Sequence, residues 1–171
     1  IRKRERILQK VASHDHLTDL LNRRGFKAET DSLRAEDFPL AVCLFDLDDL
    51  KKINDTYGHE IGDRVLRAFA ENVSNHTRTT DILCRYGGDE FVVILKRIND
   101  AQTALKKCSE ICHNMHEYVL EDNISVFTSC GIALLNSYGD SLDDVIERAD
   151  KALYRAKREN KGHCCLWEEE K

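Results

Sequence analysis

A pair of adjacent glycines, Gly87 and Gly88, constrains the fold more than any other feature of the chain. An apolar run lies on each side of the pair, at 82–84 and at 91–95. Glycine adopts the positive φ angles of a tight hairpin turn without steric cost, so the pattern predicts a strand, a turn and a second strand. A hairpin of this kind requires a sheet that is at least partly antiparallel.

Two acids, Asp89 and Glu90, follow these glycines directly. Because the glycines have no side chains to block a ligand, the two carboxylates would form an open site for a divalent cation and a phosphate. The alternative is a solvated turn, since glycine and aspartate are the commonest turn residues. The segment by itself leaves both interpretations open.

A second group of acids follows the unbroken apolar run at 40–45. Such a run is typical of a central strand that is covered on both faces. Asp46, Asp48 and Asp49 come at its end, where a buried acid is costly unless it is paired, solvated or bound to a metal. If this strand neighbours the hairpin, Asp46 and Asp89 lie close together.

Helical periodicity alternates with these strands along the rest of the chain. We predict helices at 1–14, at 22–34, from about 60, at 100–119 and from 140 or 141, with further strands at 124–135 and 163–167. Residues 1–14 would be the remnant of a signalling helix or stalk, and 15–171 one domain. This order predicts an α+β fold with a mainly antiparallel sheet.

Composition narrows the class of protein. With 42% hydrophobic and 33% charged residues, the chain is expected to be globular, and a net charge of −5 argues against a nucleic-acid partner. Seven cysteines, an odd number, mostly within apolar runs, favour reduced thiols in the cytoplasm. An alternative is a metal site formed by Cys108, Cys112 and His116 at helical spacing, although the paired short spacings of zinc sites are absent.

Four motifs together identify a resemblance. They read DHLTDLLNRRGF at 15–26, FDLDDLKKINDTYGHEIGD at 45–63, RYGGDEF at 85–91 and ADKALYRAK at 149–157. In this order and at these separations the chain resembles the GGDEF domain of diguanylate cyclases. The resemblance implies a palm-like βαββαβ fold, similar to nucleotidyl cyclases and polymerase palms. It also implies condensation of two GTP into cyclic di-GMP with release of pyrophosphate.

The resemblance further implies a homodimer, because each subunit carries one GTP. Since the chain begins with Ile1 rather than Met, we expect a cytoplasmic domain cut from a longer protein with an upstream sensory module. Whether that module lies in a membrane is left open by the sequence.

The family pattern assigns roles to the acids. Two Mg²⁺ or Mn²⁺ ions per active site would be held by Asp46, the Leu47 carbonyl, Asp89 and Glu90. The catalytic residues would then be Asp46, Asp89 and Glu90. Glu90 has a second possible role, as the base that helps to deprotonate the attacking 3′-hydroxyl.

The nucleotide would be bound by a larger set. Gly87 and Gly88 give it room, and Asn54 and Asp63 would select guanine, because a carboxylate can accept from both of its N–H donors. His59 lies near the nucleotide or merely orients its loop. The phosphates would contact the backbone of Asp49, Leu50 and Lys51 and the side chains of Lys157 and Lys161. Lys161 stands where the family usually has arginine, and Asp49 where aromatic residues are frequent.

The segment from Arg78 to Asp81 matches the family's RxxD inhibitory site, at which cyclic di-GMP would bind as an inhibitor. An arginine can fork onto guanine or pair with phosphate, although an Arg–Asp surface pair is also common without any ligand. Two other functions stay open: a catalytically silent receptor for cyclic di-GMP or GTP, and a cyclase for another purine nucleotide.

Overall fold

The computed structural model describes residues 2–117 and 123–169. The helices are α1 (Lys3–Ser13), α2 (Arg23–Asp31), α3 (Leu50–Tyr57), α4 (His59–Asn75), α5 (Ala101–Glu117) and α6 (Leu142–Glu159), with a 3₁₀ turn at Ala35–Asp37. The strands are β1 (Leu40–Leu47), β2 (Ile82–Arg85), β3 (Glu90–Lys96), β4 (Thr128–Leu135) and β5 (Cys164–Leu166).

The five strands form one sheet in the order β2-β3-β1-β4-β5. β1 is central and antiparallel to both β3 and β4, β2 and β3 form the hairpin, and β5 adds in parallel to β4. The α+β fold with a mainly antiparallel sheet is therefore confirmed, as is the βαββαβ order of its first four strands.

β1 is central because both of its faces are apolar. Phe45 packs with Phe69 of α4, and that ring in turn lies 4.6 Å from the ring of Phe91. On the opposite face Leu40 and Val42 belong to a second core with residues of α2 and α6. A strand that is covered on both sides can expose polar groups only where it ends, which is where Asp46 stands.

The helices and strands differ from the predicted ones at several ends. A separate helix, α3, precedes the helix predicted from about 60, and Gly58 separates the two with a φ of +92°. That conformation favours glycine, and it ends α3 before α4 begins. Sequence periodicity does not show this break, so α3 was not predicted as a separate helix. The strand predicted at 124–135 begins only at Thr128. The helix predicted at 22–34 ends at Asp31, and Ile1 and Val119 lie outside the described residues.

The predicted turn geometry of the hairpin is wrong. Four residues, 86–89, connect β2 and β3, and neither Gly87 nor Gly88 has a φ in the left-handed region. The loop closes instead when the N–H groups of Tyr86 and Gly87 both donate to the Glu90 carbonyl, at 2.8 and 3.2 Å. A longer loop relieves the need for the mirror-image turn that two-residue hairpins require.

The seven cysteines are all free. Cys108 and Cys112 are buried in α5, and the ring of His116 stacks on Phe127 with 4.5 Å between centroids. Within 2–117 and 123–169, these three side chains do not converge on a common point, so the alternative metal site on α5 is not supported. No helix in the same two ranges is long and apolar enough to cross a membrane.

Candidate active site

The end of β1 brings the acids of two strands together. Asp46 lies opposite Glu90 of β3 on one side and opposite Ser129 of β4 on the other. The next residue, Leu47, donates its N–H to the Asp89 carbonyl at 3.1 Å. The antiparallel pairing of β1 with β3 thus places the tip of the hairpin beside the acid that ends the central strand.

Asp46 is a carboxylate with one paired oxygen and one unpaired oxygen. Its side chain is 13% exposed, and the Lys157 ammonium on α6 contacts Oδ2. Among the described residues no hydrogen-bond donor reaches the buried Oδ1. Burial raises the pKa of Asp46 to about 6 although Lys157 lowers it, and the neighbouring Asp89 carboxylate raises it further. Because burial and a neighbouring acid disfavour the charged form of Asp46, a cation bound here would stabilise it.

These donors fit a hard divalent cation. Mg²⁺ and Mn²⁺ are bound by carboxylate and carbonyl oxygens, and a buried oxygen that lacks a donor is costly unless a ligand satisfies it. Asp46, Asp89 and the carbonyl of Leu47 supply such oxygens. Glu90 does not join them: its Oε2 lies 3.3 Å from the point where a Cβ on Gly87 would stand, so its carboxylate lies over the loop.

Lys157 is held between two acids. Its Nζ lies 3.8 Å from Oδ1 of Asp48, in addition to its contact with Asp46. Burial lowers the pKa of Lys157, but the hydrogen bond and charge of Asp46, together with the charges of Asp48 and Asp89, outweigh burial and raise that pKa above its usual value. From the sequence we predicted that this lysine binds phosphate. In the structure its charge neutralises the two acids instead.

Asp48 was named from the sequence only as one of the acids that follow β1, and its partner Ser129 was not predicted. Asp48 is 6% exposed and accepts a hydrogen bond of 2.7 Å from the Ser129 hydroxyl, which itself accepts from the Gly162 N–H at 3.2 Å. This chain of bonds ties the end of β1 to β4 and to the loop after α6. The burial of an acid directly after a central strand was the available signal, but its partner lies 81 positions away.

The two positions that depart from the family pattern contact each other. Asp49 has a left-handed φ of 60° before α3, and both of its carboxylate oxygens lie 3.0 Å from the Lys161 ammonium. Both side chains are about half exposed, so the pair is open to water. The N–H groups of Leu50 and Lys51 open α3 and, like those of any helix start, have no partner within the helix.

A third group of predicted residues meets where α3 contacts α4. A Cβ on Gly62 would lie 1.7 Å from Oδ1 of Asn54, so only glycine allows this approach. That Oδ1 is buried and accepts no hydrogen bond from the residues described. Asp63 follows Gly62 and is half-buried, whereas His59 is exposed as the first residue of α4. An unpaired amide oxygen is an acceptor suited to a base that presents N–H donors.

The loop of the hairpin is held by the first motif of the chain. Arg85 donates to the Gly88 carbonyl at 2.8 and 3.2 Å and forms an ion pair of 3.2 Å with Asp15. Burial would raise the pKa of Asp15, but hydrogen bonds from Thr18 and the charge of Arg85 lower it below its usual value. Asp15 and Arg85 belong to two of the motifs quoted above, but the sequence did not indicate that they position the loop together.

Arg23 supports the same loop from α2. Its Nε donates to the Tyr86 carbonyl at 2.8 Å, and its guanidinium lies 4.2 Å from the centre of the Tyr86 ring. Two arginines, Arg23 and Arg85, thus donate hydrogen bonds to the backbone of the four-residue loop. Their positions within the quoted motifs were the only signal available from the sequence.

The proposed inhibitory residues lie at the other end of β3. The two oxygens of Asp81 accept from the N–H groups of Arg78 and Lys96, at 2.8 and 3.0 Å. The Arg78 guanidinium is exposed and reaches the Lys96 carbonyl only at 3.5 Å. Asp81 therefore shapes the loop, and Arg78 is the member of the pair that faces solvent.

Comparisons with known proteins identify the family of the chain. Residues 12–163 match the family described as "Diguanylate cyclase, GGDEF domain". The response regulator PleD of Caulobacter vibrioides is 38% identical over 160 residues, which are 86% of this chain and 34% of that protein. Diguanylate cyclase DosC of Escherichia coli is 35% identical over 173 residues, covering 94% of this chain and 37% of that protein.

Solved structures show the same fold. The coiled coil and GGDEF domain of DgcB from Caulobacter crescentus, in complex with c-di-GMP, superposes with a TM-score of 0.86 at 29% identity. That alignment covers 96% of this chain and 91% of the other. The active GGEEF domain of a Vibrio cholerae diguanylate cyclase has a TM-score of 0.79 at 30% identity, over 88% and 99% of the two chains. The chain spans little more than a third of the length of PleD and DosC.

Proposed function

Because the chain belongs to the diguanylate cyclase GGDEF domain family, we propose that it condenses two molecules of GTP into cyclic di-GMP and pyrophosphate. The observation that carries the proposal is the unpaired, buried Oδ1 of Asp46 beside Asp89. An acid kept without a donor destabilises the fold unless a ligand uses it. Relatives that carry the name diguanylate cyclase support the same activity.

In this proposal two Mg²⁺ or Mn²⁺ ions are held by Asp46, the Leu47 carbonyl and Asp89, with Glu90 as a further ligand. Such ions, when bound, stabilise charge on the attacking and leaving oxygens of a phosphoryl transfer. Glu90 reaches them by turning its side chain away from Gly87. Its alternative role is that of the base which accepts the proton of the attacking 3′-hydroxyl.

The chain's own residues bind and orient the triphosphate. Lys157 lies beside Asp46 and neutralises phosphate charge, and the N–H groups of Asp49, Leu50 and Lys51 donate to phosphate oxygens at the start of α3. Lys161 must exchange its partner Asp49 for a phosphate when GTP binds. Since an exposed ion pair contributes little, this exchange costs at most about 1 kcal/mol.

Guanine is selected by Asn54 and Asp63, with His59 beside the nucleotide. A carboxylate accepts from both N1–H and N2–H₂ of guanine, while adenine offers no matching donors and would leave the acid unpaired. The buried, unpaired Oδ1 of Asn54 supports this assignment. The proposal therefore predicts GTP, and not ATP, as the substrate.

The proposal requires a homodimer, since one GTP from each subunit must face the other. Three apolar side chains of α1, Ile7, Leu8 and Val11, are 55%, 62% and 73% exposed, which is what a helix that pairs with a second copy would show. The solved structure of DgcB likewise comprises a coiled coil and a GGDEF domain. In the longer protein this helix would connect the domain to a sensory module.

Feedback inhibition is proposed at Arg78, with Asp81 holding the loop that presents it. The exposed guanidinium can pair with a phosphate or fork onto guanine. The same feature supports a second candidate function, a silent receptor for cyclic di-GMP, because two solved structures of the relative DgcB are complexes with that dinucleotide. Both functions would use Arg78, but only the cyclase needs Asp46 and Asp89.

One assay separates the two functions. The purified chain is incubated with GTP and Mg²⁺ over a range of protein concentrations, and cyclic di-GMP is quantified by chromatography. A cyclase forms product with a more than linear dependence on protein concentration, and Asp89→Ala abolishes it without loss of fold. No product from a verified dimer, together with retained cyclic di-GMP binding, would instead identify a receptor.

A further inference from the structure

Three metal-ligating side chains converge away from the active site. Within the described parts of the chain, Glu159, His163 and Cys165 are the one group of three or more His, Cys, Asp or Glu residues whose ligand atoms all lie within 4.8 Å of one another. Glu159 is the last residue of α6, and Cys165 lies in β5. We propose that this trio is a binding site for a borderline-soft divalent transition-metal ion, of which Zn²⁺ is the representative.

The spacing of the three atoms matches one face of a tetrahedron. Cys165 Sγ lies 3.5 Å from His163 Nε2 and 3.7 Å from Glu159 Oε2, and Nε2 lies 3.6 Å from Oε2. Zinc bonds of about 2.3 Å to sulfur and about 2.0–2.2 Å to nitrogen or oxygen require ligand separations of about 3.3–3.6 Å. An ion therefore fits just above this face, bonded to all three atoms without movement of the backbone, and its fourth position is left to water.

The protons at the site also favour a cation. Nδ1 of His163 hydrogen-bonds the Asn160 carbonyl, so Nδ1 carries the proton and Nε2 turns its lone pair toward the other two ligands. The Cys165 thiol then has one proton for two acceptors, Nε2 and Oε2, and the edge between Nε2 and Oε2 has none. A metal-bound histidine usually has its other nitrogen fixed by a carbonyl in this way. On coordination the Cys165 thiol would release its proton to solvent.

The surroundings hold the ligands and leave a path for the ion. Arg155 lies 3.8 Å from Oε1 of Glu159 and donates to the Leu166 carbonyl at 2.6 Å, so it orients this carboxylate while Oε2 stays directed at the trio. The side chains of His163 and Glu159 are 35% and 57% exposed, whereas Cys165 is buried. The thiol thus forms the floor of a site whose other two ligands border water.

Binding here would clamp the segment that carries Lys161. This lysine lies two residues after Glu159 and two residues before His163, in the loop that joins α6 to β5. A metal would close that loop on itself and fix the end of α6 against the sheet. The clamp does not depend on catalysis, so it can be tested by binding alone.

Co²⁺ is the probe, because a thiolate ligand gives it an intense charge-transfer band in the near ultraviolet and tetrahedral geometry gives visible d–d bands. The whole reduced chain, freed of metal, is titrated with Co²⁺, and Zn²⁺ is then added to displace it. We expect one equivalent to bind with both signatures. The Asp89→Ala variant should keep them, since the active site offers only oxygen ligands.

Variants locate the site. Cys165→Ser should remove the charge-transfer band, and His163→Gln should weaken Co²⁺ and Zn²⁺ binding by at least about a hundredfold, since even the loss of an outer-shell partner costs 10–100-fold. Cys164→Ser and His113→Gln are matched controls that should change neither. His163 is exposed enough that its variant tests the site even if Cys165→Ser fails to fold.

Two results would overturn the proposal. One is the absence of a stoichiometric thiolate–Co²⁺ spectrum, which would mean that the contacts among His163, Glu159 and Cys165 are structural only. The other is a spectrum that survives His163→Gln or disappears equally in Cys164→Ser, which would place the metal elsewhere among the seven cysteines.

Discussion

Asp46 and Asp81 stand at opposite ends of the same sheet and have opposite relations to their surroundings. Both oxygens of Asp81 accept hydrogen bonds from backbone N–H groups, so its charge is used to hold a loop. Asp46 has Lys157 on one oxygen and no donor among the described residues on the other, and its pKa is raised to about 6. A satisfied carboxylate stabilises the fold, whereas an unsatisfied one is retained for a ligand.

The sharpest way to break this contrast is to replace Asp46 by its near-isostere. Asp46→Asn should lower cyclic di-GMP formation by about a thousandfold or more, because a charged ligand of the reaction is removed. The free energy of unfolding should change by no more than about 1 kcal/mol, because Lys157 is 35% exposed and still faces Asp48. Turnover and denaturant unfolding are measured on the same preparation.

The exposed Asp55→Asn on α3 is the control for loss of one charge nearby. If Asp46→Asn keeps a tenth or more of the turnover, the unpaired oxygen is not the catalytic feature.

The complementary change is Asp81→Ala, which leaves two backbone donors unpaired. We expect the free energy of unfolding to fall by about 1–3 kcal/mol, while turnover in the absence of added product is kept within about threefold. Chemical denaturation checks the first expectation and initial rates the second. The exposed Thr80→Ala in the same loop should be neutral in both, and an equally neutral Asp81→Ala would contradict the structural role.

The raised pKa of Asp46 sharpens the comparison through pH. Above about 6 the acid is ionised in the folded chain, and below that value it carries a proton that a cation must displace. Affinity for Mg²⁺ or Mn²⁺ should therefore fall by up to about tenfold per pH unit as the pH drops below 6. Mn²⁺ titrations at pH 5, 6, 7 and 8 measure this, and the dependence should vanish in Asp46→Asn.

The smallest effect on the basal reaction is expected for Arg78→Ala. Its guanidinium is exposed, and among the described residues its hydrogen bond to the Lys96 carbonyl is long at 3.5 Å, so unfolding and initial rates should change little. Inhibition by added cyclic di-GMP should weaken by about tenfold or more, which corresponds to the loss of one charge-assisted contact. The exposed Arg67→Ala on α4 is the control, and unchanged inhibition in Arg78→Ala would remove this site from the account.

Much of the fold could be read from the sequence because its signals are local. The apolar run at 40–45 and the runs around Gly87 and Gly88 are complete within a few residues, and they became the central strand and the hairpin. Helix α3 was not predicted because the φ of +92° at Gly58, which separates it from α4, is not visible in the periodicity of the sequence. The hairpin turn was mispredicted because the loop has four residues and closes through two N–H groups on the Glu90 carbonyl, which the glycine pair does not indicate.

The candidate site was harder to predict from the sequence for a related reason. Its acids and lysines could be named from motifs, but their pairing joins distant parts of the chain. Lys157 meets Asp46 across 111 positions, and Arg85 meets Asp15 across 70. No local pattern encodes such contacts, so the assignment of Lys157 to phosphate alone omitted its role as the partner of Asp46.

The proposed cyclase reaction requires cations that are bound by both Asp46 and Asp89, and anomalous diffraction tests this requirement most directly. Crystals grown with Mn²⁺ and a non-hydrolysable GTP analogue are measured at the manganese edge. We predict anomalous peaks within bonding distance of both carboxylates and of the triphosphate. Peaks that contact only phosphate oxygens, with Asp46 still bound to Lys157 and Asp89 turned away, would contradict it.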